Sequence, residues 1–399
     1  MKYVIVLADG MANKPMVELD GKTPMEVACT PAMDALARNG LVGMVRTVPQ
    51  NMKPGSDVAN LSVMGYNPSD CYSGRSPLEA LSVGVAMTPT DVIFRCNIVT
   101  VSEEEPYAEK TIIDHSSGEI STEDADALMD AIREAFNNDE FSFFTGTSYR
   151  HITVWKNGEV LDFEPPHDHL GQVIGQFLPE NPKFRAMMEK SFDILNNHPI
   201  NLQRAAEGKN KANSLWFWGA GTKPALQNFK EKTGLSGAMI SAVDLLKGIA
   251  VGADMEVLNV PGATGSLDTN YEGKAQAALD ALLKSGNDFV YIHLEGPDEM
   301  GHQGELDHKI KSIEYIDERI LAVVKAGLDA AGEDYRILVL PDHPTPIRCR
   351  THTSDPVPFL LYDSTVANDQ GCAFTEKGAK ASGIYIDHGY ELIRKLIGG

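Results

Sequence analysis

The stretch DFVYIHLEGPDEMGHQGE, residues 288–305, sets an apolar run directly against a polar loop. Phe289-Val290-Tyr291-Ile292 has the unbroken branched and aromatic character of a buried strand, and the loop beyond it holds Asp298 and His302, four residues apart, among acidic residues and glycines. A strand-to-helix turn needs a glycine and a capping residue. It does not need a carboxylate and an imidazole at this spacing. The fragment alone is either a capped loop with an incidental histidine or part of a ligand set, and the rest of the chain has to decide.

The pattern recurs. Strand YVIVLA ends at Asp9, strand RILVLP ends at Asp342-His343, and CRTHTSDPVPF places His352 just before another strand. Ligands of open parallel sheets bind outside the carboxyl ends of the strands. Separate strands therefore deliver Asp and His to one edge, which a single coincidence does not explain.

Strands of Val, Ile, Leu and Phe alternate with amphipathic helices at both ends of the chain. The first ninety residues predict a strand at 3–8, a helix at 31–39, a strand at 41–47 and a helix after the loop 54–57. From 287 onward the pattern predicts strand 288–294, helix 308–326, strands 335–341 and 357–362, a short strand at 384–386 and a terminal helix 388–397. The fold class is α/β, a doubly wound, mostly parallel sheet covered on both faces.

The middle differs in texture. Residues 90–205 show shorter strands (92–100, 151–156), polar turns such as NNDE and KNGE, and the Pro-rich DFEPPHDH. AAEGKNKANS at 205–214 reads as an exposed connector back to apolar sequence. The expected layout is a core of 1–88 and 206–399 interrupted by a smaller inserted α+β domain, 89–205. At 399 residues the chain is long enough for that arrangement.

The formal charge of -21, from 56 acidic and 35 basic residues, argues against nucleic acid or an anionic membrane as partner. No apolar run approaches the roughly 20 residues of a membrane span. MKYVIVLADG is interrupted by Asp9 and reads as a first strand rather than a signal peptide. Five scattered cysteines without a CxxC favour reduced thiols in a cytoplasm. An anionic small substrate needs local cations to overcome this field.

Carboxylate with imidazole suits Mn²⁺ or Zn²⁺; calcium prefers oxygen alone, and structural zinc prefers thiolates. Asp298, His302 and His352 form one expected site, and Asp9, Asp342 and His343 its neighbour, with room for another oxygen. Paired divalent ions clamp the attacking and leaving oxygens of a transferred phosphoryl group. The further oxygen is sought in MKPGSDVANLSVMGY, where Ser56 follows a Pro-Gly turn at a helix start. A serine there is an N-cap, and the same place favours an anion and a metal-activated nucleophile. VPGATGSLDTNYEGK lacks a GK[ST] ending and is expected to be a loop feeding helix 274–284, while LWFWGAGTKP is expected to be core packing.

ADG near the start, PGSDVANLSVMGY, GRSPLEA, the Asp298–His302 pair, PDH and THTSDPVPF together resemble the 2,3-bisphosphoglycerate-independent phosphoglycerate mutases. The shorter, archaeal-type branch of the alkaline phosphatase superfamily fits, over essentially the whole chain. The resemblance implies an alkaline phosphatase-like core, two divalent ions and no 2,3-bisphosphoglycerate. It implies phosphorylation of Ser56, with Asp9, Ser56, Asp342 and His343 on one metal and Asp298, His302 and His352 on the other. It implies a small phosphorylated anionic substrate and interconversion of 3- and 2-phosphoglycerate, a step of glycolysis and gluconeogenesis. In the insert it points to Arg150 and His151 of TSYRHITVW, with Arg95 of FRCN, as substrate ligands, and to His167 and Asp168 of PPHDHLG as proton-transfer groups. Lys247 and Arg75 are further candidate cations. The rival readings are transfer to another hydroxyl acceptor such as homoserine, a phosphatase, and a non-catalytic binding module, which would have lost part of the ligand set.

Overall fold

In the computed structural model, which describes residues 1–366 and 371–398, the strand of the opening stretch spans Phe289–Leu294 and every residue of it is buried. It pairs in parallel with Lys2–Ala8 on one side, Val4 opposite Val290, and with Gly237–Ile240 on the other. Across the eight-stranded sheet the order is Tyr385–Ile386, Leu41–Val45, Val357–Asp363, Tyr335–Leu340, Lys2–Ala8, Phe289–Leu294, Gly237–Ile240 and Glu256–Val257. Val357–Asp363 alone runs against its neighbours; every other pairing among the described residues of this sheet is parallel.

Both faces of this sheet are dry. Val4, Val6, Val290, Ile292, Ile337 and Val339 pack against helices Pro31–Asn39 and Tyr271–Leu283 and the helical run from Leu306 to Ala331. Ile5, Leu7, Tyr291 and Leu338 point the other way and are fully buried too; helices Asp244–Gly252 and Leu392–Ile397 lie on that side. The doubly wound, mostly parallel α/β fold is present. The helix expected at 308–326 runs from Leu306 to Ala331 and widens into a π turn at Asp317–Leu321. That turn has a structural use. Asp317 accepts from the backbone N–H groups of Ala32 (3.0 Å) and Met33 (2.6 Å), capping the helix Pro31–Asn39, whose own Thr30 makes no cap bond. No helix among the described residues is long and apolar enough to cross a membrane.

The chain forms two compact units, Met1–Tyr72 with Ala225–Gly399, and Ser73–Pro224. The second unit is antiparallel. Val92–Val101 pairs with Arg150–Trp155, with Ile112–Asp114 and with Ser214–Thr222, and Phe141–Thr147 pairs with Arg150–Trp155. Helices Thr122–Phe136 and Pro182–Leu195 contribute Leu128, Met129, Phe184 and Met188 to its aromatic core, beside Phe94, Phe143 and Phe217.

These bounds correct the expected 88/89 and 205/206. LWFWGAGT is indeed core, but it is a strand of the second unit, hydrogen-bonded along Val92–Val101, so the unit runs on to Pro224. Helix Arg75–Ser82 packs on the same two strands and moves the first junction back to residue 72/73. The pairing joins segments more than a hundred residues apart, which local texture does not reveal.

Ile292 is fully buried in the middle of the large sheet. Ile292→Ala is expected to cost about 2–5 kcal/mol, measured as a lower urea midpoint at unchanged slope.

Candidate metal centre

The centre is built at strand ends in the first unit. Asp9 follows Lys2–Ala8, and Asp342 and His343 follow Tyr335–Leu340. Asp298 and His302 lie one turn apart on the short helix Gly296–Gln303, opened by Gly296-Pro297 after the strand Phe289–Leu294. His352 comes from the stretch before Val357–Asp363. Two ligand-sized groups result: Asp9 with Asp342 and His343, and Asp298 with His343 and His352. His302 joins the second, its Nε2 3.3 Å from Asp298 Oδ2 and 2.9 Å from His352 Nε2. The structure thus brings together every metal candidate read from the sequence. It also shows that His343 borders both groups, its ring 4.0 Å from that of His352.

Close approach requires glycine at position 10. Gly10 has φ of +62°, and a Cβ there would fall 2.6 Å from the Cα of Asp298. Only a residue without a side chain lets the two ligand-bearing segments meet.

The electrostatics are those of a site that demands cations. Asp9, Asp298 and Asp342 are all buried. Burial and the neighbouring Asp342 and Asp298 carboxylates push the pKa of Asp9 well up, and its Oδ1 is buried without a hydrogen-bond partner. Asp298 goes the other way: burial acts to raise it, but hydrogen bonds from His302 and His352 and the charge of His343 outweigh that. An orphaned buried carboxylate oxygen, beside carboxylates and imidazoles in reach of one another, is the donor set for divalent ions of the manganese and zinc type, so the residues fit the expected pair.

Ser56 lies beside the first group, Oγ 3.2 Å from His343 Nε2 and 3.5 Å from Asp9 Oδ2. It does not cap its helix. Gly55 holds the cap position, Ser56 is the first residue of Ser56–Val63, and no side-chain cap bond forms. The expectation of an N-cap serine is corrected: the hydroxyl is turned toward the ligands.

Several supporting residues were not read from the sequence. His293 Nε2 is 2.9 Å from Asp9 Oδ2 and its Nδ1 3.1 Å from Ser241 Oγ; burial lowers its pKa to about 4, so it is a neutral partner that fixes the Asp9 carboxylate. Asn60 Nδ2 donates to Asp342 Oδ2 at 2.9 Å, and the Thr345 hydroxyl donates to Asp298. The signal for His293 is a lone polar residue near the end of a strand apolar on both faces. Lys309 falls in line with Ile313, Ile316 and Ile320 on the apolar stripe of its helix.

The insert candidates fare differently, and all but Lys247 lie in the second unit. His151 is fully buried; burial lowers its pKa to about 3, and its Nε2 has no partner. As placed it is a neutral core histidine out of reach of a ligand, a correction to its reading as a substrate residue. Arg95 is committed to Glu79, Nε to Oε2 at 2.6 Å, and lies 4.7 Å over the Trp218 ring; Arg75 pairs with the same Glu79. Arg95 is therefore a paired cation, though the one Glu79 carboxylate is shared between two guanidinium groups. His167 stands edge-on to Trp218 at 5.3 Å and near His115 at 6.1 Å, with Asp168 Oδ1 3.7 Å from its Nε2. His115, passed over in the sequence, links that ring series to Tyr149, and its Nδ1 is buried without a partner. Arg150 is exposed beside Tyr149 and has no ion pair among the described residues. Lys247 belongs to the first unit, on Asp244–Gly252, loosely paired with Asp244 at 3.9 Å.

A parallel sheet that collects buried carboxylates, imidazoles and one hydroxyl at its carboxyl edge has the make-up of a metal-assisted phosphoryl-transfer protein. The comparisons with known proteins are more specific. A family model described as 2,3-bisphosphoglycerate-independent phosphoglycerate mutase matches residues 37–201. The chain is 48% identical over 402 residues to a probable 2,3-bisphosphoglycerate-independent phosphoglycerate mutase of Geobacter sulfurreducens, with 100% of each covered. It is 45% identical over 403 residues to the enzyme of that name from Methanosarcina acetivorans, again with 100% of each covered. The solved cofactor-independent phosphoglycerate mutase of Thermoplasma acidophilum aligns with a TM-score of 0.68 at 27% identity, covering 100% of this chain and 99% of that one. The chain belongs to the 2,3-bisphosphoglycerate-independent phosphoglycerate mutase family.

The Asp298 hydrogen bond raises the pKa of His302 to about 9 in the metal-free chain, against the opposing effect of burial. Below that pH a proton occupies the nitrogen that a cation needs. Binding of Mn²⁺ at pH 7.5 is therefore expected to release about one proton and to weaken roughly tenfold per pH unit toward acid. Calorimetry in buffers of differing ionisation enthalpy measures both.

Proposed function

We propose that the chain interconverts 3-phosphoglycerate and 2-phosphoglycerate through a phosphoserine at Ser56, beside a centre for two divalent ions. The reading is carried by one observation: the Ser56 hydroxyl sits at the start of a helix, within 3.5 Å of two residues of the carboxylate-imidazole cluster, and makes no cap bond. Membership of the family makes the enzyme a phosphoglycerate mutase that works without 2,3-bisphosphoglycerate.

Asp9, Ser56, Asp342 and His343 would hold one ion, and Asp298, His302 and His352 the other. Bound there, manganese or zinc supplies positive charge to the phosphoryl oxygens and lowers the pKa of the serine hydroxyl. The rest falls to the chain. Ser56 Oγ gives up its proton and forms a bond to phosphorus as the bond to the C3 oxygen of glycerate breaks, and that oxygen takes a proton. Glycerate then presents its C2 hydroxyl, which gives up its proton as its oxygen bonds to phosphorus, while the Ser56 P–O bond breaks and Oγ takes up a proton in exchange. The positive end of the helix dipole at the start of Ser56–Val63 favours the anion throughout. Water must stay out while Ser56 is phosphorylated, or the product is free phosphate.

The second unit is assigned substrate recognition. Arg150 offers an exposed guanidinium without an ion pair among the described residues, in a chain of net charge -21. His167 with Asp168 is the proposed proton-transfer pair.

Ser56→Ala is expected to abolish transfer by several orders of magnitude and, since no cap bond is lost, to cost less than about 1 kcal/mol of stability. Mass spectrometry of trapped wild-type enzyme checks the site of phosphate, and phosphate elsewhere overturns the assignment. Homoserine phosphorylation from a donor, without mutase turnover, overturns the reaction but not the serine.

Arg150→Ala is expected to lower kcat/KM for 3-phosphoglycerate roughly ten- to a hundredfold, the worth of a charge-assisted bidentate contact. Metal content by elemental analysis should be unchanged. Wild-type kcat/KM would remove Arg150 from the substrate site.

A further inference from the structure

A lysine with no solvent contact lies behind the centre. Lys309, on the helix Leu306–Ile316, is 0% exposed. Its Nζ donates to the carbonyl of Gly10 at 2.8 Å and to the carbonyl of Thr345 at 2.7 Å. Among the described residues no carboxylate is within ion-pair distance of it. Burying an amino group is costly, so its retention here calls for a use.

The two carbonyls identify one. Gly10 follows Asp9 directly, and its N–H donates to Asp342 Oδ1 at 3.1 Å. Thr345 comes two residues after His343, and its hydroxyl donates to Asp298. The regular strands have already ended at Ala8 and Leu340, and beyond them no ladder joins the two segments among the described residues, which meet through isolated bridges from Met11 and Ala12 to Pro344 and single hydrogen bonds such as Ile347 N–H to Asn13 Oδ1 at 2.9 Å. Lys309 grips each segment at a residue that also donates to a carboxylate, and each of those carboxylates belongs to a different ligand group.

We propose that Lys309 is a positioning residue for the two-cation centre, its amino group tying the Gly10 segment to the Thr345 segment and so setting the separation of the two ligand groups. This rests on the two-cation reading above. Burial lowers its pKa to about 7 against the pull of Asp298, Glu376 and Asp9; a neutral amine keeps two N–H donors, enough for both carbonyls. That tie adds to the hydrogen bonds each carboxylate already receives and braces the spacing of the two segments against the repulsion of the like charges.

Lys309→Met matches the side chain as far as Cε and removes the amino group with its donors. The full-length protein is titrated with Mn²⁺ alone, free Mn²⁺ is counted by electron paramagnetic resonance, and the spin-coupled signal of the ion pair is recorded. The expected result is at least tenfold weaker binding of the second Mn²⁺ and a lost or altered coupled signal, while the urea midpoint of the metal-free chain does not fall. A residue that only fills the core gives the opposite: a lower urea midpoint with two Mn²⁺ bound and coupled as in wild type, and this overturns the proposal. If Lys309→Met does not fold, Lys309→Gln, which keeps one amide, decides in the same way. A wild-type chain that fails to take two Mn²⁺ sinks the two-cation reading itself, whereas a wild-type chain that takes two and a variant that takes them equally well removes Lys309 alone.

Discussion

Asp9, Asp298 and Asp342 sit at the carboxyl edge of one sheet, almost without solvent, and the other two carboxylates add to burial in pushing the pKa of Asp9 up. Carboxylates in such a place repel strongly, and the architecture around them is a set of answers to that repulsion. Backbone N–H groups of Gly10 and His343 and the amide of Asn60 share Asp342. His293 holds Asp9, while His302, His352 and Thr345 hold Asp298. One buried oxygen, Oδ1 of Asp9, is left over. The two proposed cations complete what hydrogen bonds leave undone.

The same constraint explains why a parallel sheet suits the task. Parallel strands buried on both faces end together, so the residues following Ala8, Leu294 and Leu340 emerge side by side in a water-poor setting. Their loops need no long excursions to meet, only a residue as small as Gly10 where Asp298 crosses it. Ser56 enters from a helix start rather than a strand end, which presents its hydroxyl to the cluster.

The second unit is built differently. Its antiparallel sheet and aromatic core keep Phe94, Phe184 and Phe217 in contact and line up the rings of Tyr149, His115, His167 and Trp218. Cations are disposed unevenly within it. Arg95 and Arg75 share Glu79, whereas Arg150 is exposed and without an ion pair among the described residues. In so acidic a chain, which arginine is free matters more than how many there are.

The α/β class, the strands that carry ligands, and the metal candidates Asp9, Asp298, His302, Asp342, His343 and His352 were all legible in the sequence. Each is a local signal, an apolar run with a charged or imidazole side chain just past its end, and the recurrence of that pattern at separate strands carried the reading that one fragment alone left open. Ser56 was legible as a helix start, but not as a hydroxyl turned away from capping. Other features belong to the tertiary structure alone. The strand Ser214–Thr222 joined the second unit because its partner lies more than a hundred residues earlier. His151 became core and Arg95 became half of an ion pair, because a strand pattern does not say which face is covered or where Glu79 will lie. His293 and Lys309 looked like a strand residue and a helix residue, and only the assembled sheet edge put Asp9, Gly10 and Thr345 within reach of them. Sequence periodicity reports which face of an element is apolar; which distant group completes a buried polar atom's hydrogen bonds is decided only when the elements pack.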